Sequence, residues 1–446
     1  MTVLIGIDQG TSGTRTVAFD ASLEPLAEAY RLAAVHHPQP GWIEKGAEET
    51  VGTVRESLDE VVRAVGGPDA VSAVGLDNEG ETVVAWHAET LEPLAPAVVW
   101  GCRRSQPVVD RLEQSGAGEE ILELSGLPLD PYFSATKIRW LVENVPAVAK
   151  CAGERTLRIG TLDAFLTARL GEGARTEPST AGRTQLQEPA RPGEWSPRLL
   201  QLHGIEPEWL PPIGPSFGSD LGPFAGLRLG SLLVDQTASL AGHGGFRPPA
   251  TKATYGSGIF LLQQRGTEIP ADPAGLIPIV AWDGAGSVSY ALDGGVFSAG
   301  TVITWLRDGA GLIADAAETE QLALSVPDTA GVHFLPALAG LGAPRWRSEA
   351  RASFGGITAG TTRAHLVRAA LDSLCFRVRD IVDRLADRPQ VLRVDGGLTA
   401  NRYLLQRQAD VLGIPIEGAR PPETTALGAA ATAGVTAGVI DPADLE

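Results

Sequence analysis

The sequence predicts an α/β protein of two domains, and three observations carry that reading. Apolar runs with strand character alternate along the chain with segments whose apolar residues recur at helical spacing. A strand, a turn of small residues and a second strand occur near the start, in VLIGIDQGTSGTRTVAFD, and the same grammar returns past the middle, in ATYGSGIFLLQQ. The length, 446 residues, exceeds what one hydrophobic core usually supports.

The opening motif is expected to be a hairpin, not the strand-then-helix of a dinucleotide fold. Its turn exposes backbone N–H groups and the hydroxyls of Thr11, Ser12 and Thr14, which can hold phosphate oxygens. Arg15 adds charge, and Asp8 is placed to hold a magnesium ion; a plain hairpin explains the same residues. VGLDNEGETVV follows as strand, polar turn and strand, with Gly80 between Glu79 and Glu81. EGARTEPSTAGRT and EPARPGEW are polar and rich in Pro and Gly, so both read as surface connections. In LGSLLVDQTASLAGHGG an apolar run ends at Asp235, whose carboxylate can accept a hydroxyl proton in a cleft or cap a helix. A domain boundary is placed near Gly244, giving domains 1–244 and 245–446. VSYALDGGVFSAGTVITWLRD and VLRVDGGLTANRYLLQRQADVLG each read as an apolar strand ending in Asp-Gly-Gly, followed by a helical segment. Gly256, Ser257, Gly397 and Asn401 are points where backbone can approach a nucleotide, or where glycine serves only the turn. Trp100 and Tyr132 fit either a polyol pocket or the core.

The net charge of -18, with no long basic run, argues against nucleic-acid and acidic-membrane partners and in favour of small molecules. The three cysteines have neither metal-ligand nor disulfide-framework spacing, as expected in a reducing cytosol, and the histidines form no zinc pattern. The first residues enter an apolar strand without a basic leader, and no apolar run is long enough to span a membrane, so a cytoplasmic protein is expected. There is no Gly-Lys-Ser/Thr phosphate loop.

Two long stretches, YFSATKIRWLVEN (132–144) and ASFGGITAGTTRAHLVRAALD (352–372), resemble in order the two signatures of the FGGY family of carbohydrate kinases, and within it those of the glycerol kinases. Similarity extends through IDQGTSGTR, VVWGCRRS, VDQTASL, TYGSGIF and RVDGGLTANR, over nearly the full length. The resemblance implies an actin-like ATPase (ribonuclease H-like) fold, two related domains around a nucleotide cleft that takes ATP and Mg2+. It implies ATP-dependent conversion of glycerol to glycerol 3-phosphate, and a homodimer or homotetramer. Carried over by position, Asp235 matches the general base, and Asp8 with Asp235 the magnesium site. Thr11, Ser12 and Arg15 match the phosphate hairpin, Ser257 a phosphate contact, and Gly256, Gly300, Gly397 and Asn401 nucleotide contacts. Thr304 stands where glycerol kinases resemble one another in having Gln. Glu81, Trp100, Tyr132, Asp235, Gln236 and Phe260 match polyol contacts. One departure stands out: NEGE replaces a pattern similar to Asn-Gln-Arg-Glu, so Gly80 removes a hydroxyl-binding guanidinium and is expected to leave space. That opens the alternative of a longer polyol or ketose as acceptor, or of an ordered water in place of the guanidinium. A non-catalytic actin-like nucleotide switch is the rival from another class.

Overall fold

The computed structural model describes residues 2–419 and 423–445. Two six-stranded sheets form its frame, with a five-stranded and a two-stranded sheet beside them. In the first large sheet the strands Val3–Gly10, Gly13–Phe19 and Pro25–Leu32 run antiparallel in succession. Val71–Asn78 then joins parallel to Val3–Gly10, and Leu227–Val234 parallel to Val71–Asn78. The second sheet repeats this order. Thr251–Tyr255, Ile259–Gly266 and Ser287–Val296 are antiparallel, Leu392–Asp395 joins parallel to Thr251–Tyr255, and Ile416–Gly418 follows parallel to it. Each first parallel strand is reached across a long helix, Ala47–Ala64 in one half and Arg363–Val382 in the other, as parallel neighbours require.

The repeat therefore lies in the two hairpins, as ATYGSGIFLLQQ foretells, and only partly in the Asp-Gly-Gly units. Leu392–Asp395 ends at its Asp-Gly-Gly, and the helix Arg402–Leu412 follows a short turn. Ser287–Val296, expected to stop at Asp293, runs on through Gly294 and Gly295. The reason is steric: a Cβ on Gly294 would lie 2.4 Å from Ile381, so glycine there admits the helix Arg363–Val382 against the sheet.

After the last parallel strand of each sheet comes a helix, Asp235–Gly242 in the first half and Thr424–Ala437 in the second. These two helices pack on each other so closely that a Cβ on Gly428 would lie 1.8 Å from the Ala238 carbonyl oxygen. Thr424–Ala437 also returns to the first sheet, where Ala426, Ala430 and Ala433 join Leu4, Val17 and Ala73 in one buried cluster. Small residues make this possible, since they let helix backbone approach sheet backbone.

EGARTEPSTAGRT is not a surface connection. Thr176, Glu177, Ser179, Thr180 and Arg183 are all buried. Glu177 caps the short helix Pro178–Ala181 and accepts from the N–H groups of Ser179 (2.8 Å) and Thr180 (2.6 Å) and from the hydroxyls of Ser179 (2.6 Å) and Ser216 (2.7 Å). Polar composition indicates solvent only when the polar groups lack partners inside, and these have them. Among the described residues no helix is long and apolar enough to cross a membrane.

Candidate active site

Between the two hairpins lies a cavity of about 140 Å³. Glu81, Trp100, Tyr132, Asp235, Gln236 and Phe260, the residues expected to meet a polyol, all line it, and so do Thr11 of the first hairpin and Gly256 and Ser257 of the second. Its apolar wall is aromatic. Trp100 stands edge-on to Tyr132 and to Phe260, with ring centroids 5.9 and 6.0 Å apart. The indole Nε1 donates to Thr11 Oγ1 at 2.9 Å, and that hydroxyl donates to Glu79 Oε2 at 2.6 Å. Buried Lys45 pairs with Glu79 and completes the chain. Thr11 is thus a fixed part of the wall.

Glu81 follows Gly80 in the left-handed region, at φ 59, a conformation costly for a residue with a Cβ and common where function holds a side chain in place. Its carbonyl accepts from Ser134 Oγ at 3.2 Å and Lys137 Nζ at 3.4 Å, which anchors the turn to the helix Ser134–Asn144. Burial pushes the Glu81 carboxyl up to about 7, against the pull of Arg183 and Lys137. Because the folded value lies above the unfolded one, Glu81 contributes stability that is fully present below about 4.5 and is lost as pH rises through about 7. Unliganded Glu81→Gln should therefore lose less thermal stability than the parent between about pH 5 and about pH 8. An equal loss in the two proteins would show that Glu81 does not carry this pH dependence.

The space expected beside Gly80 is absent. Arg183 fills it: a Cβ built on Gly80 would lie 3.2 Å from Arg183 Cδ and 2.8 Å from Val234 Cγ2. Arg183 Nη1 stands 3.2 Å from Glu81 Oε1, and Nη2 donates to Asp293. Sequence reasoning missed Arg183 because its segment looked like a surface loop.

Asp235 is the first residue of its helix, and Val234 holds the capping position. Its carboxylate accepts from the Gln236 N–H at 2.7 Å and the Gln236 amide Nε2 at 3.1 Å, so it is held by its neighbour and does not cap the helix. Burial raises its pKa above the usual carboxylate range, opposed by Arg183 and Lys252. Lys252, another residue the sequence did not single out, is buried and donates to Gln236 Oε1 at 2.7 Å and Thr254 Oγ1 at 2.9 Å. Burial lowers its ammonium to about 8.

On the far side of Asp235 the carboxylates converge. Asp8 is pushed up to about 7, first by burial and then by the charge of Asp235, with Asp395 adding to it. Asp77 stands beside Asp8 on the neighbouring parallel strand, fully buried and within hydrogen-bond reach of the Asp8 carboxyl, with no basic or hydroxyl donor on either of its oxygens. Asp395 accepts from Ser239 Oγ at 2.8 Å and lies 3.0 Å from His243 Nε2, while its Oδ1 has no partner. Asp8, Arg15, Asp395 and Gly397 line one cavity; Gly397 and Asn401 line the next. Ile303 lines the latter, whereas Thr304 is exposed. Gly300 is tied to the second hairpin, its N–H donating to the Gly256 carbonyl at 3.0 Å. Ser12 is exposed at the tip of the first hairpin, and Arg15 pairs with Glu28 at 3.0 Å and Glu423 at 3.6 Å. Thr14 does not face a phosphate: it is buried, and its hydroxyl bonds to that of Thr53 at 2.9 Å, because alternate strand residues face opposite sides.

These residues fit a divalent cation and a nucleotide. Clustered carboxylates with unpartnered oxygens favour a cation, and among the described residues no three His, Cys, Asp or Glu side chains could hold a metal by themselves. A magnesium ion is commonly held by one or two carboxylates, its remaining positions being filled by phosphate and water. Gly396 takes φ +91, where a Cβ would lie 2.6 Å from the Tyr255 carbonyl oxygen, while Gly397 beside it faces open space.

The profile of the FGGY family of carbohydrate kinases, N-terminal domain, matches residues 3–218, and that of the C-terminal domain matches residues 251–437. The chain is 40% identical to a glycerol kinase of Carboxydothermus hydrogenoformans, over 98% of this chain and 89% of the relative. It is 41% identical to one of Citrifermentans bemidjiense, over 99% and 91%. The crystal structure of Plasmodium falciparum glycerol kinase with ADP matches with a TM-score of 0.87 at 31% identity, over 100% of this chain and 91% of that one. A xylulose kinase of Lactobacillus acidophilus reaches the same TM-score at 20% identity, a likeness of fold alone.

Proposed function

The chain belongs to the FGGY family of carbohydrate kinases, and from that premise we propose that it transfers a phosphoryl group from ATP to a hydroxyl of glycerol, giving glycerol 3-phosphate. Its fold is the actin-like ATPase fold of the sugar kinases. The observation that carries the proposal is the position of Asp235, which lines a small polar and aromatic cavity together with the turns of both hairpins. The acceptor hydroxyl loses its proton to the Asp235 carboxylate, whose raised pKa brings it nearer neutrality, where a general base works best. Glu81, Tyr132 and Gln236 bind hydroxyls, and Trp100 and Phe260 cover the carbon chain and exclude water.

Magnesium-ATP, when bound, supplies the phosphoryl group and the positive charge that neutralises it. Asp8 and Asp235 would hold the magnesium. Thr11, Ser12, Arg15, Gly256 and Ser257 would hold the phosphates, and Gly300, Thr304, Gly397 and Asn401 the adenosine. The same reading extends to domains 1–244 and 245–446 and to a cytoplasmic homodimer or homotetramer without nucleic-acid or membrane partners.

The size of the cavity favours glycerol over longer acceptors: about 140 Å³ lies well below the roughly 300–1,000 Å³ of pockets for larger ligands. ADP release is expected to depend on glycerol and to fall off with four- and five-carbon polyols and with ketoses. Faster release with a five-carbon acceptor would overturn the glycerol assignment, and release independent of any acceptor would favour the nucleotide switch.

A further inference from the structure

We infer that Arg183 is a specificity-determining residue of the acceptor cavity, its Nη1 donating to a glycerol hydroxyl other than the one that Asp235 deprotonates. The inference rests on the reading of the cavity as a glycerol site. Arg183 is the single basic side chain among the described residues that line it, and Glu79, Glu81 and Asp235 line it too. A polyol in such a wall finds many acceptors and needs a donor.

The guanidinium is built for that task. Its Nη2 is anchored on Asp293, itself buried, which fixes the plane of the fork. The other two nitrogens are free of hydrogen bonds: Nε has no partner, and Nη1, although 3.2 Å from Glu81 Oε1, makes no hydrogen bond to it, which leaves that oxygen unpartnered as well. Buried guanidinium N–H groups without acceptors are costly, and so is a buried carboxylate oxygen without a donor. One hydroxyl beside the Nη1–Oε1 pair satisfies both of these atoms, accepting from Arg183 Nη1 and donating to Glu81. A Cβ at Gly80 would press on Arg183 Cδ at 3.2 Å and on Val234 Cγ2 at 2.8 Å, so glycine leaves the arginine stem undisturbed.

The test compares glycerol with propane-1,2-diol and propane-1,3-diol, each of which lacks one hydroxyl. The parent enzyme should prefer glycerol to both in kcat/KM. Arg183→Lys keeps the charge and loses the fork. It should lower kcat/KM for glycerol by roughly 10- to 100-fold, mainly through KM, and leave one of the two diols nearly unaffected, so that one preference collapses and identifies the hydroxyl. Gly80→Ala leaves every charge in place while pressing on the arginine stem, and it should weaken the same preference; it serves as the test if Arg183→Lys does not fold. Glycerol turnover with both preferences intact in whichever variant folds would overturn the inference and leave the glycerol assignment standing. Failure of the parent to use glycerol would overturn that assignment, and this inference with it.

Discussion

Asp235→Asn is expected to lower kcat for glycerol by roughly 10²- to 10⁴-fold while KM for glycerol changes little. The amide keeps the shape of the carboxylate and can still accept from the Gln236 N–H, now at 2.7 Å, so the helix Asp235–Gly242 should remain in place. What disappears is the group proposed to take the hydroxyl proton. The substitution also removes one of the two carboxylates proposed to hold the magnesium, and a negative charge that raises the pKa of Asp8, so a changed magnesium dependence is expected as well. Steady-state kinetics at saturating ATP, with glycerol and then magnesium varied, separate the two. Unchanged glycerol-dependent ADP release in the variant would remove Asp235 from the role of base.

Gly6→Ala is expected to destabilise the protein strongly, and it lies away from the acceptor cavity. A Cβ at Gly6 would sit 1.8 Å from the Ala426 carbonyl oxygen and 2.6 Å from its carbon, with no flexible side chain to move aside. Backbone would have to separate from backbone where Thr424–Ala437 rests on the first sheet. Overpacking of this kind usually costs about 1–3 kcal/mol, and contact with rigid backbone places it at the upper end. Both thermal and denaturant melts should show it. A variant as stable as the parent would mean that this helix is not closely seated on Val3–Gly10.

Much of the site was legible because its residues stand at the ends of local patterns. Asp8 ends an apolar run shortly before a turn of small residues, and Asp235 follows another apolar run as the first residue of a helix; each pattern is written in neighbouring residues. The residues expected to meet a polyol entered through the resemblance, and they line one cavity. The partners of these groups were not legible. Lys252 reaches Gln236, Lys45 reaches Glu79, and Arg183 reaches Asp293, 110 positions away, and no spacing rule links such pairs. Arg183 was further hidden by composition, because a polar segment rich in Pro and Gly reads as exposed until Glu177 is seen to satisfy its donors.

By itself, then, the sequence determined the α/β class, the two hairpins with Asp8 in the first, and the strand-to-helix step at Asp235, since strand periodicity and turn chemistry act over a few residues. Only the tertiary structure decided what stands beside Gly80. The missing side chain at that position predicted an opening, but a vacancy in a close-packed interior is filled by whichever neighbour the fold brings there, and the fold brings Arg183.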